Sequence, residues 1–553
     1  MDPGRLNKDC ARGGLSSAML VVKFRRHFLV VCFGLLAVAF PGCARREPAA
    51  AVTSGVQVLR LSQRNEPGDL DPATTAIPDE FFIIRALSEG LVSPSPDGGT
   101  PLPAAAERWE VSSYGLIYTF HLRAAARWSN GEPVTARDFV DSYRRLLTPA
   151  TAATKASLFF LVKNAEAFYR GTLADFAAVG FHARDALTLE VTLAQPSPQF
   201  LAYAASGPWI PVNPRAVAQF GRNWTRPGHF VGNGPFTLIE WRPHQRIVVR
   251  RRADYWDADH VLLEELQFLA FDNGDAEERA FRAGQIDVTM AVPVARLATY
   301  AREESSVLHR VPLHETRFLA LNTKRAPLTD IRVRRALALA LDRDALVDLV
   351  LQGGQTPAFH LVPEHLGGFA SHTALREDAA EARGLLAAAG FPGGAGFPRL
   401  ELTGWDKSPA LEAVQAMWKQ ELGIEVVLTT RDARVHEAAL HEGRYDLGFM
   451  TAIPEVADAA DLLADFVTGA PRNYPQWSDT RYDTLLAAAA RTGDAAQRLA
   501  LLADAEARLT EECPVVPLYF NAKNFLLRPT VRGWQEDALW TRFYKDVSRQ
   551  ENR

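Results

Sequence analysis

Between about residues 330 and 509 the sequence alternates helical with strand-like segments, and this order constrains the fold more than any other feature of the chain. Apolar spacing predicts helices over 330–351, 379–389, 410–422 and 495–509, and strands over 399–402, 425–430 and 446–449. Strands separated by helices can bury their apolar sides only in a sheet with helices packed on it, so this half is read as an α/β lobe. Upstream, residues 56–61 alternate as a strand and 81–91 read as a helix. Strand-like segments at 117–122 and 187–193 flank a helix over 135–147, which opens on the capping box Thr135-Ala-Arg-Asp138. The breaker Asn233-Gly234-Pro235 precedes strands at 236–241, 246–250 and 263–271, and a helix over 275–283 stops at Gly284. A chain of 553 residues with this content predicts about three structural units.

The leader narrows the class of protein. Lys23, Arg25, Arg26 and His27 precede an apolar run at 28–40, too short to span a membrane, and Phe40-Pro41-Gly42-Cys43 closes it. This reads as a signal peptide of lipoprotein type over residues 1–43, with Cys43 the acylated residue and Met19 the expected translation start. Small, polar residues at 44–55 follow as a flexible tether, and a multiply acylated Cys43 would anchor the protein to a membrane. Three of the four cysteines lie in or at the end of the leader, so Cys513 has no partner for an internal disulfide, and its glutamate neighbours are expected to raise its thiol pKa. Loss of the leader leaves 55 basic against 63 acidic residues, a net charge of about −8. That balance gives no electrostatic basis for nucleic-acid binding, and 47% hydrophobic residues exclude disorder.

Catalytic signatures are missing. His360-Leu-Val-Pro-Glu364-His365 has the wrong spacing for a zinc helix, and Pro363 would break that helix. The sequence has no Gly-x-Ser-x-Gly elbow and no Walker loop. No cofactor or metal is expected, and the chain is read as a non-enzyme.

Several stretches in order are similar to one family. Leu87-Ser-Glu89-Gly90-Leu91, Pro103-Ala-Ala-Ala-Glu107-Arg-Trp109, Trp128-Ser-Asn130-Gly131-Glu-Pro133, Gly232-Asn-Gly234-Pro235-Phe236, Asp330-Ile-Arg332-Val-Arg334 and Val516-Pro517-Leu518-Tyr519 resemble the bacterial extracellular solute-binding proteins of family 5, the oligopeptide- and dipeptide-binding proteins of ABC importers. The resemblance spans about residues 56–548. It implies a two-lobed periplasmic-binding-protein fold (type II, cluster C) with an extra subdomain in the N-terminal lobe. The expected borders are lobe I at 56–88, the subdomain at 89–212, lobe I again at 213–313, lobe II at 314–514 and a return to lobe I at 515–553.

The resemblance also implies a site. In oligopeptide binders an Asp receives the ligand's α-ammonium, and the matching position here is Glu455, in Met450-Thr-Ala-Ile-Pro-Glu455. The family's Trp three residues earlier is Ala452, and two carboxylate-receiving arginines correspond to Leu440 and Phe449. Lys407 stands where a histidine serves the C-termini of longer peptides, Phe318 holds an aromatic cleft position beside Arg317, and Glu315 and Ile453 replace a disulfide pair. The implied function is a monomeric, lipid-anchored periplasmic protein that captures peptides or peptide-like solutes and delivers them to permease subunits with a cytoplasmic ATPase. The alternative ligands are a nickel chelate, an opine, an oligosaccharide or a signalling peptide; a hydrolase or chaperone on the same scaffold is the reading from another class.

Overall fold

The protein is described by a computed structural model covering residues 56–550 apart from 64, 65, 76, 97 and 272. The leader, tether and Cys43 assignments lie outside the described residues. The chain enters through β1 (Val58–Gln63) and α1 (Pro78–Leu87), then builds a separate four-stranded antiparallel sheet from β2 (Ala106–Val111), β3 (Ile117–Leu122), β4 (Phe181–Ala183) and β5 (Thr188–Thr192), in the order β2-β3-β5-β4. Against that sheet packs α2 (Ala136–Leu147), whose capping box is present: Thr135 N–H donates to Asp138 Oδ2 at 2.9 Å, and Asp138 N–H to Thr135 Oγ1 at 3.3 Å. Its core holds a cluster of aromatic rings among aliphatic side chains, with Phe159 stacked on the fully buried Trp209 at 4.2 Å between ring centroids. The short helix α3 (Phe200–Ala204) lies at its border.

The chain then returns to pair with β1. Strands β6 (Phe236–Arg242), β7 (Arg246–Arg251) and β8 (Glu265–Ala270) complete a sheet in the order β1-β8-β7-β6, with β1 parallel to β8. The predicted helix at 81–91 begins earlier, at Pro78, and ends at Leu87. Its end is fixed by the Gly232-Asn233-Gly234 turn, which lies against it: Gly234 N–H donates to the Leu87 carbonyl at 3.0 Å, and a Cβ on Gly232 would come within 2.0 Å of that oxygen.

Two long strands cross from this sheet to the next. β9 (Leu308–Leu321) and, near the end of the chain, β14 (Val515–Leu526) pair antiparallel, and the register shifts between Pro312 and Thr316. Neither strand is predicted as such, because each is apolar along one half only and changes its buried side where it passes between cores. Above the shift they join a six-stranded sheet with β10 (Thr356–Pro357), β11 (Leu400–Gly404), β12 (Val426–Thr430) and β13 (Leu447–Ala452), in the order β10-β14-β9-β13-β11-β12. Both faces are covered. α4 (Ile331–Leu339), α5 (Ala379–Ala388) and α6 (Pro409–Leu422) share one core with Leu319 and Leu321, whereas α7 (Ala459–Leu463), α8 (Thr480–Arg491) and α9 (Ala495–Glu512) share another with Phe318 and Ala320.

The continuous helix predicted at 330–351 is broken. α4 ends at Leu339, and a new turn begins on Asp342, whose side chain accepts Ala345 N–H at 2.8 Å. Arg343 is the cause: its buried guanidinium donates to the carbonyls of Ala338 and Leu341, both at 3.2 Å, and to Pro517 O at 2.7 Å. Those bonds tie the break to β14 and satisfy carbonyls that a regular helix would have bonded along its own axis.

Candidate functional site between the cores

The six-stranded sheet presents one edge toward the first lobe. Thr356, Phe520, Thr316 and Ala452 are cross-strand neighbours in one row along it, and β11 and β13, which run parallel, both end there. Loops leaving parallel strands at a common edge are where α/β sheets place ligands. Two cavities lie along this edge. The larger, of about 870 Å³, is lined by Pro312, Leu313, Phe359 and Phe520 and by the imidazoles of His314, His360, His365 and His372. The smaller, of about 60 Å³, is lined by Arg85, Ser206, Glu455, Asp537, Leu539 and Thr541 among others. The segment at 537–541 divides them, with Ala538 bordering the first and its neighbours the second.

Glu455 therefore sits at a junction. It lies on the loop after β13, and its carboxylate forms an ion pair with Lys155 Nζ, which comes from the aromatic-cored subdomain. Both side chains are largely sheltered, at 26% and 18% exposed. The Lys155 ammonium also lies 5.5 Å from the centre of the Phe81 ring, on α1 one turn before Arg85. Arg85 N–H donates to Ala205 O at 3.3 Å, and burial lowers its pKa against the opposing charges of Asp537 and Glu455. Asp537, from the last segment of the chain, has its carboxyl raised by burial although it accepts Leu539 N–H at 2.9 Å and Thr541 N–H at 2.7 Å.

Behind Glu455 is a second row of acids. The Glu455 backbone N–H donates to Asp461 Oδ2 at 2.5 Å, and burial, reinforced by the Glu455 charge, pushes the Asp461 carboxyl up to about 7. Asp458 is buried and paired with Arg498 at 3.0 Å, and Asp465 is paired with Arg472 at 3.4 Å. Tyr203, on α3, faces the same acids, and burial raises its hydroxyl well above the ordinary tyrosine value. The loop carrying Glu455 is thus held from beneath by two cation–carboxylate pairs and from the front by Lys155.

The other residues taken from the resemblance are dispersed. Arg317 is paired with the buried Glu315 at 2.7 Å, with its guanidinium carbon 5.2 Å from the Trp405 ring, which stacks on Phe449. Its Nε has no hydrogen-bond partner among the described residues. Glu315 also accepts from Thr451 Oγ1 at 3.1 Å and from Trp540 Nε1 at 3.2 Å, so it links β9, β13 and the terminal segment. Phe318 alternates to the opposite face of β9, where it is 3% exposed and packs edge-on against Phe466. The structure thus sets it in the core of the sheet, with Ala452 in the same cluster. Lys407 is exposed on the loop after β11.

Two sequence readings change. Lys155, Arg85, Asp461 and Asp537 carry no motif and were not singled out by sequence, since they meet only where three cores approach. Cys513 is buried and its thiol is raised to about 11, but burial is the cause; the charges around it are Arg334, Arg343 and Arg335, which act in the opposite direction.

Comparison with known proteins places this arrangement. The family model of the bacterial extracellular solute-binding proteins, family 5 (middle), matches residues 100–474. The chain belongs to that family. It is 34% identical over 509 residues to the probable deoxycholate-binding periplasmic protein YgiS of Escherichia coli, covering 90% of this chain and 94% of the relative. The structure of the murein tripeptide-binding protein MppA of Escherichia coli superimposes with a TM-score of 0.82 at 29% identity, over 90% of this chain and 99% of that one. The unliganded open form of MppA gives 0.71, over 90% and 98%. The fold is accordingly the two-lobed, type II periplasmic-binding-protein architecture, and the chain resembles the open form less.

Proposed function

We propose that this family 5 protein is the substrate-binding lipoprotein of an ABC importer. Anchored through an acylated Cys43 on the periplasmic side of a membrane, it captures a peptide or peptide-like solute between its lobes and presents the closed form to permease subunits driven by a cytoplasmic ATPase. It works as a monomer and performs no chemistry on its cargo. The observation that carries this reading is the one cavity lined by Arg85 and Glu455 from two separate cores, with Lys155 of a third paired to Glu455. Charges held on bodies joined by only two crossing strands make the closed state depend on what lies between them. A solute that contacts both sides favours closure by the difference in its affinity for the two states. The strand ends around Glu455 supply backbone groups suited to hydrogen-bonding an extended ligand, as a strand addition does.

A second reading keeps the transport role and changes the cargo to an apolar organic acid. It is favoured by the Lys155–Glu455 pair, which neutralises the expected ammonium receptor, and by the likeness to a protein described as probably deoxycholate-binding. Calorimetric titration of the mature protein, refolded after denaturation to remove endogenous ligand, tests both. Micromolar binding of a peptide or of an apolar acid is expected, and silence below millimolar concentration for every solute class would end the capture reading.

A further inference from the structure

Resting on the capture reading, we infer that the group recognised beside Glu455 is an anion, the carboxylate end of an organic solute, and that Lys155 and Arg85 receive it. A carboxylate that waits for an ammonium ligand should lack a cation of its own, and Glu455 does not: Lys155 Nζ is on it already. Lys155 lies over the Phe81 ring and its side chain is only 18% exposed, so it adjoins the cavity through Glu455 and is not a stray surface side chain. The acids beneath are similarly occupied, Asp458 by Arg498 and Asp465 by Arg472.

The remaining acids at the junction already accept hydrogen bonds from the protein's own backbone. Asp461 spends an oxygen on the Glu455 backbone N–H, and Asp537 spends its Oδ1 on two backbone N–H groups of its own turn. A ligand ammonium would have to displace Lys155 and leave that ammonium without its partner in a sheltered site, which is unfavourable. An incoming carboxylate meets the opposite situation. Among the described residues Arg85, which lines the cavity, makes one hydrogen bond, to Ala205 O, and a guanidinium has five donors. Lys155 has three, so it can hold Glu455 and an anion together. The apolar lining from Pro94, Pro101, Val456 and Leu539 suits a carbon skeleton attached to that carboxylate.

The test uses the mature protein stripped of ligand and three probes: tetra-alanine with a free amino terminus, its N-acetylated form, and deoxycholate. Native protein is expected to bind at least one of the last two at least tenfold more tightly than free-amine tetra-alanine. Lys155→Gln should lose tenfold or more of that affinity and gain affinity for the free-amine peptide, because Glu455 is then uncompensated. Glu455→Gln should tighten or preserve binding of the anion, since it frees Lys155. Thermal unfolding of both variants separates loss of fold from loss of affinity, and the Glu455→Gln result stands independently if Lys155→Gln misfolds. Preference of native protein for the free-amine peptide, with affinity falling tenfold in Glu455→Gln, would overturn the inference while leaving capture intact. Binding of no probe, and of no other solute in a wider screen, would overturn the capture reading and the inference with it.

Discussion

The two cavities on either side of the 537–541 segment are built from contrasting chemistry. The larger, about 870 Å³, carries four imidazoles among prolines and phenylalanines, and all of its lining comes from the second lobe and the crossing segments except Ala538. The smaller, about 60 Å³, draws charged groups from α1, the loop after β13 and the terminal segment, with Lys155 of the subdomain on Glu455. For a protein that captures its cargo by closing, as proposed, volume alone does not identify the site that senses a ligand. What identifies it is charge contributed by bodies that move relative to one another, because only such a site is completed by closure.

The contrast can be broken most severely by loosening the acidic loop from beneath. Arg498→Met leaves Asp458 buried without its cation and is expected to cost about 3–5 kcal/mol in urea unfolding. If the smaller cavity depends on a rigidly held loop, ligand affinity should fall in the same variant. Unchanged stability would show that Asp458 finds another partner or is solvated.

A smaller effect separates the cavities by their response to pH. The folded-state carboxyl of Asp461 is raised to about 7 from an ordinary value of 3.8, so the native state holds the proton more tightly than the unfolded chain between those values. Stability from this group therefore declines as pH rises from about 4 to about 7, and the cost is full above that. Asp461→Asn should remove the slope and stabilise the protein at pH 8 by about 2 kcal/mol, allowing for the partial exposure of the side chain. Denaturant midpoints at pH 5 and pH 8 check this; a variant that is less stable at pH 8 would contradict it.

The smallest effect has the opposite sign and belongs to the larger cavity. Burial lowers the His314 pKa, and the neighbouring His365 lowers it further. A histidine held neutral supplies stability above its unfolded value of 6.5 that is lost as pH falls below it. His314→Gln should lessen the destabilisation between pH 7 and pH 5 and raise the melting temperature at pH 5 by about 1 °C. Buried Glu506, raised by burial beneath the same cavity, responds as Asp461 does, so the single variant and not the total acid response is the measurement that counts.

Legibility followed the range of the interactions. The capping box at Thr135, the glycine turn before β6 and the helix–strand alternation around α5, β11, α6 and β12 were readable because their causes lie within a few residues. The break after Leu339 was not, since Arg343 ends the helix by bonding Pro517, 174 positions away. Position 318 was assigned to the cleft from resemblance, yet the pleat of β9 sends Phe318 and Arg317 to opposite faces. Glu455 was readable by motif position, but its partner was not: Lys155 is 300 residues distant and has no pattern around it.

Taken alone, then, the sequence determined the α/β class, the local caps and turns such as those at Thr135 and Gly234, and the family. These depend on local periodicity, capping and turn chemistry, which act over one or two turns of chain. The tertiary structure decided the charge around Glu455, because its pairing with Lys155 and the approach of Arg85 exist only once three independently packed cores meet. Coulombic contact reads distance in space, and sequence separation carries no information about it.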